Sequence, residues 1–240
     1  MSEPDDRAGR PVGRRIVLGV AALGALGVAV GSRAQKLTDG VLAGISSRDP
    51  TGLTGLLPGG GGFRFYSVAE SIPHRSAAGY RLTVDGLVDH PGTYTLAQLR
   101  AMPRTRLVRD VQCVTGWRVA KTAFAGVRLS DLLATAGVRP GATALRFTCF
   151  DGVYSESLTL EQAGRPDMLV AYEMQDEPVT AAHGGPVRLY AASMYFYKSA
   201  KWLSGITVTD KVTPGYWEKR GYDVDGWVGR SNGREDHPTS

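Results

Sequence analysis

Between Tyr80 and Thr209 the chain runs as short apolar-alternating stretches, each cut off by a turn pair or a helix cap. Tyr80, Leu82 and Val84 alternate with Arg81, Thr83 and Asp85, so Tyr80–Val88 is predicted as a strand turning at Asp85-Gly86. Ala144–Phe150 alternates in the same way, with Leu145, Phe147 and Cys149 on one face, and turns at Asp151-Gly152. Met168–Met174, Val187–Ala191 and Leu203–Thr209 read as further strands, with a turn at Asp176-Glu177-Pro178. Helices between them are brief. Thr95 caps one through Leu96, Leu99 and Met102 that Pro103 stops, and Ser130 caps one through Leu132 and Leu133 that ends at Gly137. Thr159 with Gln162 forms a capping-box pattern for a third. Strands and short helices mixed without βαβ alternation predict an α+β fold of mixed sheets.

Composition sets the class of partner. At 240 residues the chain holds one sizeable domain plus a tail, and 31 glycines fit a loop-rich fold. The net charge of +5 is spread along the chain with no Lys/Arg block, which excludes a nucleic-acid footprint. Two cysteines without a CxxC pair, and without histidine at metal spacing, argue against zinc and iron–sulfur sites. At the N-terminus, Arg14-Arg15 precede a weakly apolar run to Gly31, as in a twin-arginine export signal or membrane anchor over 1–34. Pro50, Pro58 and the glycines 59–62 mark a linker over 35–62, and the globular domain is expected over 63–240 with an aromatic-rich tail.

Two stretches carry chemistry. In Arg109-Asp110-Val111-Gln112-Cys113-Val114-Thr115-Gly116-Trp117-Arg118, a strand delivers Cys113 to its end and Gly116 turns the backbone beside a large aromatic. A cysteine so placed presents its thiolate to a cavity; equally, it serves as a small buried hydrophobe or pairs with Cys149 in a disulfide. The second stretch joins His183-Gly184-Gly185-Pro186-Val187-Arg188-Leu189-Tyr190 to Tyr197-Lys198-Ser199-Ala200-Lys201-Trp202-Leu203. Imidazole, guanidinium, ammonium and hydroxyl groups among glycines and aromatics suit the enclosure of an anion.

In this order, "QCVTGW", "HGGPVRLY" and "YKSAKWL" resemble the molybdopterin-binding domain of the sulfite oxidase family. The resemblance runs from Phe63 to Gly229 and is nearest the exported single-domain branch that includes the protein-methionine-sulfoxide reductase catalytic subunit. It implies a sulfite-oxidase-like fold and a molybdenum–molybdopterin cofactor whose metal Cys113 ligates. His183 and Arg188 match pterin-pocket positions, Ser199 and Lys201 the phosphate segment with Lys198 beside it, and Tyr66 and Ser67 an N-terminal contact strand. Members of the branch often have glycine where Phe196 stands and commonly carry a tryptophan near Phe124. The implied chemistry is two-electron oxygen-atom transfer, with sulfoxide reduction expected ahead of sulfite oxidation. No CxxCH motif is present, so electrons are expected through a separate carrier such as a membrane haem protein. The competing expectation is an exported binding module stapled by a Cys113–Cys149 disulfide.

Overall fold

The alternation at Tyr80 becomes strand β1 (Arg81–Gly86), which buries Leu82 and Val84 and turns Arg81 and Thr83 to solvent. A computed structural model describes residues 67–69, 71–115 and 118–230, all within the unit Gly61–Ser240. The readings made on 1–34, on 35–62 and on Tyr66, Gly116 and Trp117 lie outside these residues. Strand β2 (Gly92–Thr95) follows antiparallel to β1 and runs into helix α1 (Leu96–Ala101). Thr95 caps it as expected, and Gln98 completes a capping box that the sequence reading did not name, satisfying two otherwise orphaned backbone donors.

Strand β3 (Arg104–Gln112) returns as β4 (Arg118–Arg128), antiparallel to it. Sequence alternation does not announce β4, because Thr122–Val127 is buried on both faces. Gly126 sits at a register shift where an added Cβ would lie 2.1 Å from the Val170 carbonyl oxygen, so only glycine lets β4 approach its neighbour. Helix α2 (Leu129–Ala136) starts directly from β4. Ser130 was expected to cap it, but Arg128 holds the cap position without a side-chain bond, and the Ser130 hydroxyl turns to Asp131. Leu129, Leu132, Leu133 and Ala136 form its buried stripe.

Strands β5 (Ala144–Cys149) and β6 (Ser155–Thr159) form a hairpin, and Thr159 with Gln162 caps helix α3 (Leu160–Ala163). Strand β7 (Met168–Met174) matches its expected bounds. The turn after it sits at Gln175-Asp176, both with positive φ, because Glu177-Pro178 pairs back as β8 instead of forming the turn itself. Strands β9 (Arg188–Ala191) and β10 (Leu203–Thr209) complete the set.

Two five-stranded sheets result. One has the order β2-β1-β10-β5-β6, mixed because β1 and β10 run parallel; the other has β3-β4-β7-β8, with β9 also on β7. The fold is α+β, as the mixture of short strands and helices requires. The principal core joins both sheets and all three helices through Leu82, Leu99, Val127, Leu132, Phe147, Ala163, Leu189 and Ile206. This frame fixes the two ends that matter below: the C-terminal end of β3, and the loops flanking β9.

Candidate functional site

Strand β3 ends at Gln112, so Cys113 is the first residue beyond a fixed direction. It is half-buried, packed against a cluster of Val114, Tyr195, Tyr197 and Val228 that Trp217 and Tyr222 also join. The Thr115 hydroxyl donates to the Cys113 Sγ at 3.2 Å. Asp110 braces this end of the hairpin: one carboxylate oxygen accepts from the Lys121 backbone N–H at 2.8 Å and the other pairs with Arg118. The Lys121 bond, followed by the Arg118 guanidinium, holds the Asp110 carboxyl below the usual carboxylate range despite its partial desolvation. Arg118 is the cross-strand partner of Gln112, next to Cys113.

Both cysteines are free thiols, so the Cys113–Cys149 disulfide is not formed. Cys149 closes β5 in the principal core, where burial pushes its thiol far up, with Asp151 and Glu156 adding to the rise.

The second half of the site is a stapled pair of loops. Arg188, only 1% exposed, donates to the carbonyls of His183 and Ser199, each at 2.7 Å. Its guanidinium lies 4.4 Å from the Phe196 ring centre and 5.6 Å from that of Phe124. The Phe196 ring thus roofs the guanidinium. Backbone bonds tighten the joint: Trp202 N–H donates to Gly184 O at 2.9 Å, Leu203 N–H to Val187 O at 3.0 Å, and Leu189 N–H to Ala200 O at 2.8 Å. The Ser199 hydroxyl accepts from Ala191 N–H, and the Trp202 indole donates to Ala181 O. Gly184 has φ +96, and a Cβ there would lie 2.6 Å from the Lys201 Cβ, so the loop meets the Lys201 segment only because it has no side chain.

Electrostatics follow from that closeness. Burial, then the charges of Arg188 and Lys201, lower His183 to about 4, so its imidazole is neutral at neutral pH. Burial and then Arg188 lower Lys201 to about 7, and burial lowers Arg188 itself to about 9. Three basic groups crowded this way favour an incoming anion, which would restore the charge on Lys201.

His183, Arg188, Ser199 and Lys201 are therefore brought together, and Cys113 shares its aromatic surround with Tyr195 and Tyr197 of the same loop. Ser67 is exposed and bonds only with Ala69 in the described structure. Lys198 needs correction. It was expected beside an anion, but its ammonium points inward, with its three donors taken by Glu156, Glu218 and the Ser157 carbonyl. Sequence reading missed both of those carboxylates, together with the brace made by Asp110.

Comparison with known proteins gives this geometry a family. Residues 69–217 match the model of the oxidoreductase molybdopterin binding domain. The uncharacterized oxidoreductase YuiH of Bacillus subtilis is 38% identical over 147 residues, covering 61% of this chain and 74% of its own. A putative protein-methionine-sulfoxide reductase subunit, YedZ1, of Azospira oryzae is 30% identical, covering 70% of this chain and 63% of its own. The solved sulfane dehydrogenase SoxCD of Paracoccus pantotrophus superposes with a TM-score of 0.55 at 26% identity, over 59% of this chain and 41% of that one. The chain thus spans less than two thirds of the Azospira and Paracoccus proteins. With a matched region that takes in the strand bearing Cys113 and both stapled loops, the chain belongs to the oxidoreductase molybdopterin-binding domain family.

Proposed function

We propose that this oxidoreductase reduces neutral S-oxides, methionine sulfoxide in exported proteins among them, and that Cys113 is the protein ligand to its molybdenum. The residues fit the cofactor. Among the described residues no three His, Cys, Asp or Glu side chains converge on a metal position, so a metal beside Cys113 depends on non-protein donors such as a pterin dithiolene. Lys201 and the neutral His183 would face the pterin and its phosphate, with Arg188 and Ser199 fixing the loops that carry them. Beside Cys113, the buried Gln112 Oε1 has no hydrogen-bond partner among the described residues and is an acceptor suited to a pterin N–H. When bound, molybdenum–molybdopterin supplies two-electron redox chemistry coupled to oxygen-atom transfer.

One observation carries the substrate choice: Arg118, the cross-strand neighbour of Gln112 at the Cys113 end of the hairpin, is already paired with Asp110. Sulfite is a dianion and needs uncommitted cations, whereas a sulfoxide is neutral and fits an aromatic-edged mouth. The net reaction takes a sulfoxide, two electrons and two protons to a thioether and water. The Azospira relative's description as a sulfoxide reductase subunit supports this reading, and so does that of a catalytic subunit from Ralstonia nicotianae, 27% identical over 196 residues. Sulfite oxidases, among them one from Arabidopsis thaliana at 28% identity, make sulfite the second reading.

The test assays one molybdenum-replete preparation in both directions: methionine sulfoxide and dimethyl sulfoxide with reduced viologen, then sulfite with ferricyanide. Fast sulfite turnover with negligible sulfoxide reduction would overturn the proposal. Asp110→Asn is expected to release Arg118 and move the ratio of sulfite to sulfoxide turnover about tenfold toward sulfite, the value of one charge-assisted hydrogen bond.

Electrons are proposed to come from a separate carrier, a membrane haem protein, outside the cytoplasm. Arg14→Lys with Arg15→Lys keeps the charge and is expected to strand folded, metal-loaded protein in the cytoplasm. Unchanged export by cell fractionation would assign the general secretory route instead.

A further inference from the structure

The inward turn of Lys198 brings three ionisable side chains together away from the surface. Lys198 lies in the turn Phe196–Lys198, Glu156 on β6, and Glu218 in the turn Glu218–Arg220 of the tail. The ammonium is 2.5 Å from Glu156 Oε1 and 2.7 Å from Glu218 Oε1, and all three side chains are at most 1% exposed. Two carboxylates against one ammonium would leave an uncompensated negative charge in a sealed space, which is strongly unfavourable. The second oxygens, Glu156 Oε2 and Glu218 Oε2, are also buried and find no partner among the described residues. One proton between the two carboxyls, which lie within hydrogen-bonding reach of each other, cancels the surplus charge.

We propose that Glu156 and Glu218 share a single proton, carried by Glu156, so that with Lys198 they form a neutral clasp holding residues 215–230 against the surround of Cys113. The directions of the two carboxyls agree. Burial raises Glu156 well above the usual carboxylate range, with Lys198 opposing and Glu218 adding to the rise. Glu218 is lowered on balance, since hydrogen bonding from Glu156 and the Lys198 charge outweigh its burial. The other titratable groups facing the pair are phenols and a thiol: Tyr154, Tyr197, whose ring centre lies 5.9 Å from the ammonium, and Cys149.

The clasp adds a fully buried charged tie to a tail that is also held by Tyr216 N–H to Ser155 O, Val228 N–H to Ser193 O and the Gln162 amide to Asp225. Its backbone enters the rest of the fold through a bridge between Met194 and Trp227 and through single bonds, such as Tyr195 N–H to Gly226 O and the Tyr197 hydroxyl to Asp223 O. Trp217, the residue before Glu218, and Tyr222 pack against the cluster that holds Cys113. Glu218 is thus a positioning residue. Only the consequence for turnover rests on Cys113 being the metal ligand; the clasp itself is tested without reference to activity.

The test uses the full-length, molybdopterin-loaded protein. Infrared spectroscopy at neutral pH should show the C=O stretch of a protonated carboxylic acid, and Glu156→Gln should remove it. Absence of the band from the wild type, or its survival in Glu156→Gln, would overturn the shared proton. Trypsin cleavage after Lys219 or Arg220, both exposed, reads the tail. Glu156→Gln mimics the protonated carboxyl and should be cleaved within about twofold of the wild-type rate, while Glu156→Gln with Glu218→Gln strands the ammonium and should be cleaved at least about tenfold faster. A double variant as resistant as the wild type would overturn the clasp. Because the Glu156 value is raised on folding, its stabilising contribution is present below the ordinary carboxylate range and is lost as pH rises through the raised value. Thermal unfolding of Glu156→Gln should therefore decline less toward alkaline pH than that of the wild type, and an identical decline would count against Glu156 as the proton carrier.

Discussion

Replacing Cys113 with alanine is expected to give a folded protein that retains no stable molybdenum and has no turnover. The side chain is half-buried at a strand end, so its removal deletes the Sγ and the bond from Thr115 while leaving the principal core filled. The loss should therefore appear in metal content far more than in unfolding temperature. Cys149→Ala is the matched control: it removes a buried sulfur from the principal core, costs on the order of 1 kcal/mol, and should keep the metal. Elemental analysis of both variants, expressed as molybdenum per chain, checks the pair. A full complement in Cys113→Ala would show that the thiol is not the ligand.

Arg188→Met is expected to have the next largest effect, and a different kind. Methionine keeps an apolar stem between Phe124 and Phe196 but deletes the guanidinium that serves the His183 and Ser199 carbonyls. Each is a charge-assisted bond worth about 1.5–3 kcal/mol, so the variant should be destabilised by about 3–6 kcal/mol. For a domain of this size that is a fall of roughly 10 °C or more in Tm. The cofactor should be lost as well, because the two loops would no longer be held to each other. Arg188→Lys should fall between, since one ammonium cannot match the fork that reaches both carbonyls. Calorimetry with pterin content measures both effects, and an unchanged Tm in Arg188→Met would mean that the backbone bonds alone hold the joint.

Much of this architecture was legible in the sequence, for physical reasons that differ by element. Strands with one wet face, such as β1 and β5, declare themselves by alternation, and the caps at Thr95 and Thr159 mark helix starts because the same side chains satisfy the first backbone donors. Strand β4 does not alternate because both its faces are covered, so periodicity had nothing to report there. At the site, the motifs led to Cys113, His183, Arg188, Ser199 and Lys201 but not to what each side chain touches. Lys198 looked like its neighbour Lys201 in the sequence, yet the turn Phe196–Lys198 points it into the core. Its partners are remote in the chain: Glu156 is buried because it lies across from Phe147, and Glu218 because the tail folds back. Neither relation is written in local pattern.

The position of Glu218 has a consequence for how the protein is made. Residues 215–230 follow every strand and helix of the two sheets in the chain, so they leave the ribosome after the rest of the site has been synthesised. Until they arrive, Trp217 and Tyr222 are not yet in place beside the cluster holding Cys113, and Lys198 has only one of its two carboxyl partners. The order of synthesis thus leaves one flank of the thiol uncovered through the early life of the chain. Residues 215–230, made after both sheets, are the ones that cover it.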